Sequence, residues 1–92
     1  MKPHLGNVVP NPSFGSATIS FSLSRSSKAT LRIMDLNGRN VRVLLDEVVP
    51  PGERRVEWDG RNSRGELVPA GIYVYELDAP GIKAARKLVR LR

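Results

Sequence analysis

The stretch WDGRNSRGELVPAG, residues 58–71, gathers most of the residue types that could do chemistry. Asp59, Ser63 and Glu66 offer oxygens at a spacing faintly like the D-x-[DN]-x-[DN]-G opening of a calcium loop. Arg61 occupies the third position, however, and the glycine falls one place late, at Gly65. Calcium takes six to eight oxygen ligands; this stretch has too few and sets cations among them. A corner of a scaffold fits better. Asp59 and Gly60 turn the chain, residues 62–65 (NSRG) turn it again, and Trp58 anchors the loop to a core.

Acid–base and nucleophilic chemistry find no better footing. The one histidine is His4, in a segment read as a linker remnant (residues 1–7), so no His-based pair can be assembled. Seven serines lie between residues 13 and 27, on the outward face of a strand or in turns, with no base beside them. Asp46 and Glu47 point to opposite faces of one strand. The expectation is a non-enzyme with no catalytic, cofactor-binding or metal-ligating set.

Charge is the remaining signal. The net value is +6, and residues 82–92 hold five bases (Lys83, Arg86, Lys87, Arg90, Arg92) and no acid. Such a segment attracts phosphate, acidic headgroups or an acidic protein surface. Base stacking needs exposed aromatics, and Phe14, Phe21, Trp58, Tyr73 and Tyr75 are mostly claimed by core positions, so no nucleic-acid partner is expected. A solvated basic edge that discourages sheet-to-sheet aggregation is the plainer alternative. No apolar run approaches the roughly 20 residues of a membrane span. MKPHL at the start carries charge without the apolar stretch of a signal peptide. The absence of cysteine removes disulfides and thiolate metal sites.

The elements that must position these residues are strands. TISFSLS, residues 18–24, alternates with Ile19, Phe21 and Leu23 on one face and hydroxyls on the other. Leu31 and Ile33 repeat the pattern, as do Val41, Val43 and Leu45, then Val56 and Trp58. In residues 72–77, Tyr73, Tyr75 and Leu77 face inward with Ile72 and Val74 half covered. In residues 82–91, Ala85, Val89 and Leu91 compete with Ile82, Ala84 and Leu88, which calls for a bulge or a two-sided strand. Asn37 and Gly38 between two runs indicate a type I′ hairpin turn. Residues 9–15 (VPNPSFG) read as an extended lead-in or edge. No segment has ten residues of helical apolar spacing. The fold class is therefore all-β, an antiparallel sandwich of about seven short strands over residues 8–92. Tyr73, after the glycine corner and two residues before Tyr75, stands where immunoglobulin domains place a tyrosine corner, and Tyr75 stands where they place a cysteine.

The ordered pieces VPNP (9–12), TISF (18–21), IMDLNGR (33–39), PGE (51–53), WDG (58–60), PAGIY (69–73) and RKLV (86–89) resemble the C-terminal type A sorting domain of proteins exported by the type IX secretion system. That family is similar to the Ig-like domain of flagellar hook-capping proteins. The resemblance covers residues 8–92. It implies an immunoglobulin-like sandwich at the end of a larger cargo protein, without cofactor. The domain would pass through the periplasm and be recognised by an outer-membrane translocon. A sortase-like protease would remove it, leaving the cargo at the cell surface or outside the cell. The family's basic pair and apolar residues fall on Arg86, Lys87, Leu88 and Val89. Its Y-P-N-P box falls on residues 9–12, with Val9 in the tyrosine's place. Two sets of residues follow. Trp58, Asp59, Gly60, Gly71 and Tyr73 hold the fold, and Lys83, Arg86, Lys87, Leu88, Val89, Arg90 and Arg92 form the surface read by the export machinery. If the last strand lies at a sheet edge, strand addition to a partner is open to it. The alternatives are a structural module of the hook-capping type, an accessory domain of a modular extracellular enzyme, or a polyanion binder.

Overall fold

The computed structural model describes residues 2–91. Seven strands form two antiparallel sheets: β1 His4–Val9, β2 Ala17–Leu23, β3 Ser27–Met34, β4 Asn40–Val49, β5 Gly52–Trp58, β6 Gly71–Ala79 and β7 Ile82–Arg90. One sheet has the order β1-β2-β5 and the other β4-β3-β6-β7. Alternation builds the core between them. Ile19, Phe21 and Leu23 of β2 and Leu31 and Ile33 of β3 are fully buried, and they meet Tyr73, Tyr75 and Leu77 of β6 and Trp58 of β5. The opposite face of β2 carries Thr18, Ser20 and Ser22, half exposed. With no disulfide, this packing holds the two sheets together.

Four expectations are corrected by the strand register. Residues 4–7, within the segment read as a linker remnant, belong to a strand: His4 to Val9 pair with β2. Leu5 and Val8 lie opposite Phe21 and Ile19, so three steps along β1 match two along β2. The extra residue is a bulge, and it turns both Leu5 and Val8 into the core. In β4 the register also shifts twice, so Arg32 opposes Val43 on the outer face and Val43 is 47% exposed. Leu45 is buried as expected, and Val41 is half-buried.

The Asn37 turn is not type I′, which requires positive φ at both central residues. Only Gly38 has it, at +83°. The turn is organised by Asp35 instead. Its Oδ1 accepts from the N–H of Asn37 and of Arg39, both at 2.9 Å, while Gly38 N–H donates to Asp35 O at 3.0 Å. A side chain that mimics a backbone acceptor is how aspartate stabilises such turns. Finally, β7 needs neither a bulge nor two buried faces. It pairs with β6 in unbroken register from Gly71–Arg90 to Ala79–Ile82. The inward set is Ile82, Ala84 and Leu88, and it continues to Arg90.

Candidate functional site

Within residues 58–71, side-chain oxygens of Asp59, Asn62 and Glu66 bond the chain itself. Asp59 Oδ1 accepts from Arg61 N–H at 3.0 Å and from the Arg42 guanidinium at 3.2 Å. Asn62 Oδ1 accepts from the N–H of Arg64 and Glu66 at 2.9 and 3.1 Å, and Gly65 N–H donates to Asn62 O. This repeats the Asp35 turn with asparagine in the leading place. Glu66 Oε1 accepts from Asn62 Nδ2. Trp58 Nε1 donates to Arg61 O at 2.9 Å, closing the loop onto the core. Among the described residues no three His, Cys, Asp or Glu stand close enough to hold a metal ion.

Behind the corner lies a cage that sequence reading assigned to the wrong side of the molecule. Arg90, expected on the recognition surface, is 2% exposed. Its guanidinium carbon sits 5.9 Å from the Trp58 ring centroid. Nε donates to Val68 O at 3.2 Å and Nη1 to Gly15 O at 3.1 Å. Among the described residues no acid partners it within salt-bridge distance. Carbonyl dipoles and an aromatic face take that role, and a planar multi-donor cation suits them as an ammonium would not. Gly60 completes the cage: a Cβ there would lie 2.3 Å from Arg90 Nη1, and its φ of +78° already favours glycine. Tyr73 packs on Trp58 in a T-shaped arrangement, with ring centroids 5.6 Å apart and planes at 67°.

Tyr73 hydroxyl donates to Pro69 O at 2.7 Å, four residues back, as the tyrosine-corner reading requires. Tyr73→Phe is expected to lower unfolding free energy by about 1 kcal/mol, the net value of one such bond, in denaturant titrations with unchanged slope. Gly71 is held by no close approach: nothing lies within 4 Å of a Cβ built on it. It opens β6 opposite Arg90.

Strand β7 divides its residues between two faces. Lys83, Ala85, Lys87 and Val89 look outward from the sandwich; Leu88, 0% exposed, and Arg90 look inward. Leu88 and Arg90 therefore cannot form a surface, and the expected recognition set shrinks to Lys83, Arg86, Lys87 and Val89. Arg92 lies outside the described residues. Arg86 and Lys87, adjacent in sequence, point to opposite faces. Arg86 shares the inward parity but stays exposed at the rim, bonding the side-chain oxygen of Asn7 in β1. Beneath it Tyr75 hydroxyl donates to Gly6 O at 2.9 Å, tying the two sheets. The roles of Asn7 and Gly6 escaped sequence reading because the bulge breaks the period-2 pattern that would have marked a strand.

Burial foremost holds both phenols above their ordinary pKa of 10.0. For Tyr73 the Arg90 charge opposes it and Asp35 adds to it; for Tyr75 the charge and hydrogen bond of Arg86 and the Val8 backbone oppose it. Between the unfolded and the folded pKa the unfolded state binds fewer protons, so stability falls as pH rises past 10.0. Denaturant midpoints measured across that range should fall more steeply for the parent chain than for Tyr75→Phe.

The chain matches the family model described as FlgD Ig-like domain over residues 6–81. No curated protein sequence matches it. Three solved structures are similar. Dimeric latent PorU from Porphyromonas gingivalis has a TM-score of 0.75 at 22% identity, covering 96% of this chain and 9% of PorU. PorZ, described as an essential bacterial surface component of the type-IX secretion system of the same organism, has a TM-score of 0.62 at 22% identity, covering 94% of this chain and 11% of PorZ. FlgD from P. aeruginosa has a TM-score of 0.62 at 22% identity, covering 97% of this chain and 67% of FlgD. The chain thus spans about a tenth of PorU and PorZ. These likenesses concern the fold. With its seven-stranded sandwich and a match over most of its length, the chain belongs to the FlgD Ig-like domain family.

Proposed function

We propose that this domain is a non-catalytic sorting module that directs a covalently attached cargo through a type IX outer-membrane translocon, read through the outward side of β7. One observation carries the reading. The edge strand of the four-stranded sheet holds Lys83 and Lys87 outward with no acid on the strand, while Leu88 and Arg90 lock its other face into the core. Anchoring and display are thereby separated on one strand. The fold likeness to PorZ and PorU and the ordered motifs support the assignment. On this reading the domain is transiently periplasmic and its partners are the translocon and a sortase-like protease. The attached cargo ends at the cell surface or in the medium.

The FlgD match favours a second reading, a structural Ig-like module with no export role. Fusing the 92-residue chain behind a periplasm-directed fluorescent reporter in a type IX-competent strain decides between them. Reporter at the surface or in the medium is expected; reporter held in the periplasm beside a folded domain would leave the structural reading. Truncating β7 is the wrong control, because it removes Leu88 and Arg90 from the core.

A further inference from the structure

The side of the sandwich between β1 and β7 opens into a groove of about 670 Å³, bordered by Asn7, Asn11, Tyr75, Arg86 and Lys87. Along its upper rim runs the free edge of β7. Alternation in an antiparallel ladder sends the main-chain groups of every second residue away from the neighbouring strand. On β7 these belong to the odd-numbered residues. Val89 N–H donates to the Asn11 side chain at 2.9 Å, Ser13 N–H donates to Val89 O at 2.9 Å, and Leu91 N–H donates to Ser13 O at 2.8 Å. The chain's own segment at Ser13 thus already adds to this edge, in parallel register with Arg90. It stops there. At Lys83, Ala85 and Lys87 no strand among the described residues pairs on that side.

We propose that an extended acidic peptide occupies this edge, continuing the pairing that Ser13 begins and adding a fifth strand to the four-stranded sheet. Charge selects the occupant. A peptide laid along the edge alternates its side chains between the outer face, where Lys83 and Lys87 stand, and the groove, where Arg86 stands. No acid on β7 neutralises any of the three. The same lysines repel a second copy of this basic edge, as edge lysines do in sheets that must not self-associate. They admit a strand of opposite charge. The edge carries neither proline nor bulge, since β6 and β7 pair without a shift, so its geometry suits strand addition. This names the partner chemistry of the strand on which the sorting reading rests. Peptide binding by the isolated 92-residue chain is measured without export, so either can fail alone.

The probe is a capped peptide of alternating threonine and glutamate, nine residues long, titrated into the isotope-labelled chain with backbone amide signals and their exchange followed by NMR. The expected result is shifts and exchange protection centred on Lys83, Ala85 and Lys87, with the glutamine counterpart bound about tenfold more weakly. Ala85→Pro removes an outward N–H that β6 does not use, a placement prolines tolerate on edge strands. It should abolish binding while distant amide signals stay in place. If that variant fails to fold, Lys83→Glu with Lys87→Glu gives a second arm: it should reject the glutamate peptide and accept its lysine counterpart. No binding, equal binding of the glutamine peptide, or shifts reproduced by dextran sulfate and indifferent to Ala85→Pro would each overturn the proposal, the last by showing charge attraction without strand pairing.

Discussion

Trp58→Ala is expected to remove about 3–5 kcal/mol of stability, the usual cost of deleting a fully buried large aromatic, and to lower Tm by at least roughly 12 °C in a domain of this size. Total stability for such domains is about 5–15 kcal/mol, so the variant will be marginal. Cavity formation is only part of the cause. The indole also bonds Arg61 O, takes the edge of Tyr73, and lies against the buried Arg90 guanidinium. The cage predicts coupling. Arg90→Ala alone leaves Val68 O and Gly15 O without their donor and strips the cation from Trp58. The double variant should therefore differ from the sum of the two single ones by about 0.5–3 kcal/mol, the range for residues in contact. Gly60→Ala gives an independent leg. In the parent it suffers both the left-handed φ and the collision with Arg90; in Arg90→Ala only the first remains. Strict additivity in both cycles, measured by denaturant unfolding, would show that the cage is three neighbours and no unit.

Much of this architecture was legible because alternation is a direct imprint of burial. The set Ile19, Phe21 and Leu23 can satisfy only a strand with one covered face, and the same holds for Leu31 with Ile33 and for Tyr73, Tyr75 and Leu77. Where the pattern failed, bulges were the reason. One extra residue between Leu5 and Val8 places two apolar side chains three apart on the same face, which no period-2 template detects. The paired shifts in β4 likewise moved Val43 to the outer surface.

Arg90 is a different kind of miss. Its parity put it on the inner face with Ile82, Ala84 and Leu88, but a cation with no acidic partner argues for the surface. Only the fold brings Trp58, Gly60 and two carbonyls to it from segments between 22 and 75 residues away. The tyrosine corner was readable because its partner, Pro69, is local. Long-range polar partners leave no local trace, which is why the Tyr75–Gly6 bond and the Arg86–Asn7 contact were invisible too.

Reversing both outward charges, Lys83→Glu with Lys87→Glu, should abolish surface delivery of the fused reporter while shifting the domain's unfolding free energy by no more than about 0.5 kcal/mol, the normal range for surface substitutions. Both side chains are exposed on the outer face of β7, and neither takes part in a salt bridge among the described residues. Their loss breaks no salt bridge, and the stability change stays small, most of it from the carboxylate that Lys83→Glu sets opposite Asp78 of β6. The effect on export rests on the local field. Neutral glutamine at both positions should give an intermediate defect, because attraction is lost without repulsion replacing it, and raised salt should deepen that defect by screening what remains. Arg86→Gln is the informative neighbour. It sits at the rim and holds Asn7 across the two sheets, so a defect there should come with a loosened β1, seen as faster exchange of the Leu5 and Val8 amides. Export lost in the lysine variant with the fold intact assigns the outward face of β7 to recognition. Export retained would remove that face from the mechanism and leave the domain as a scaffold.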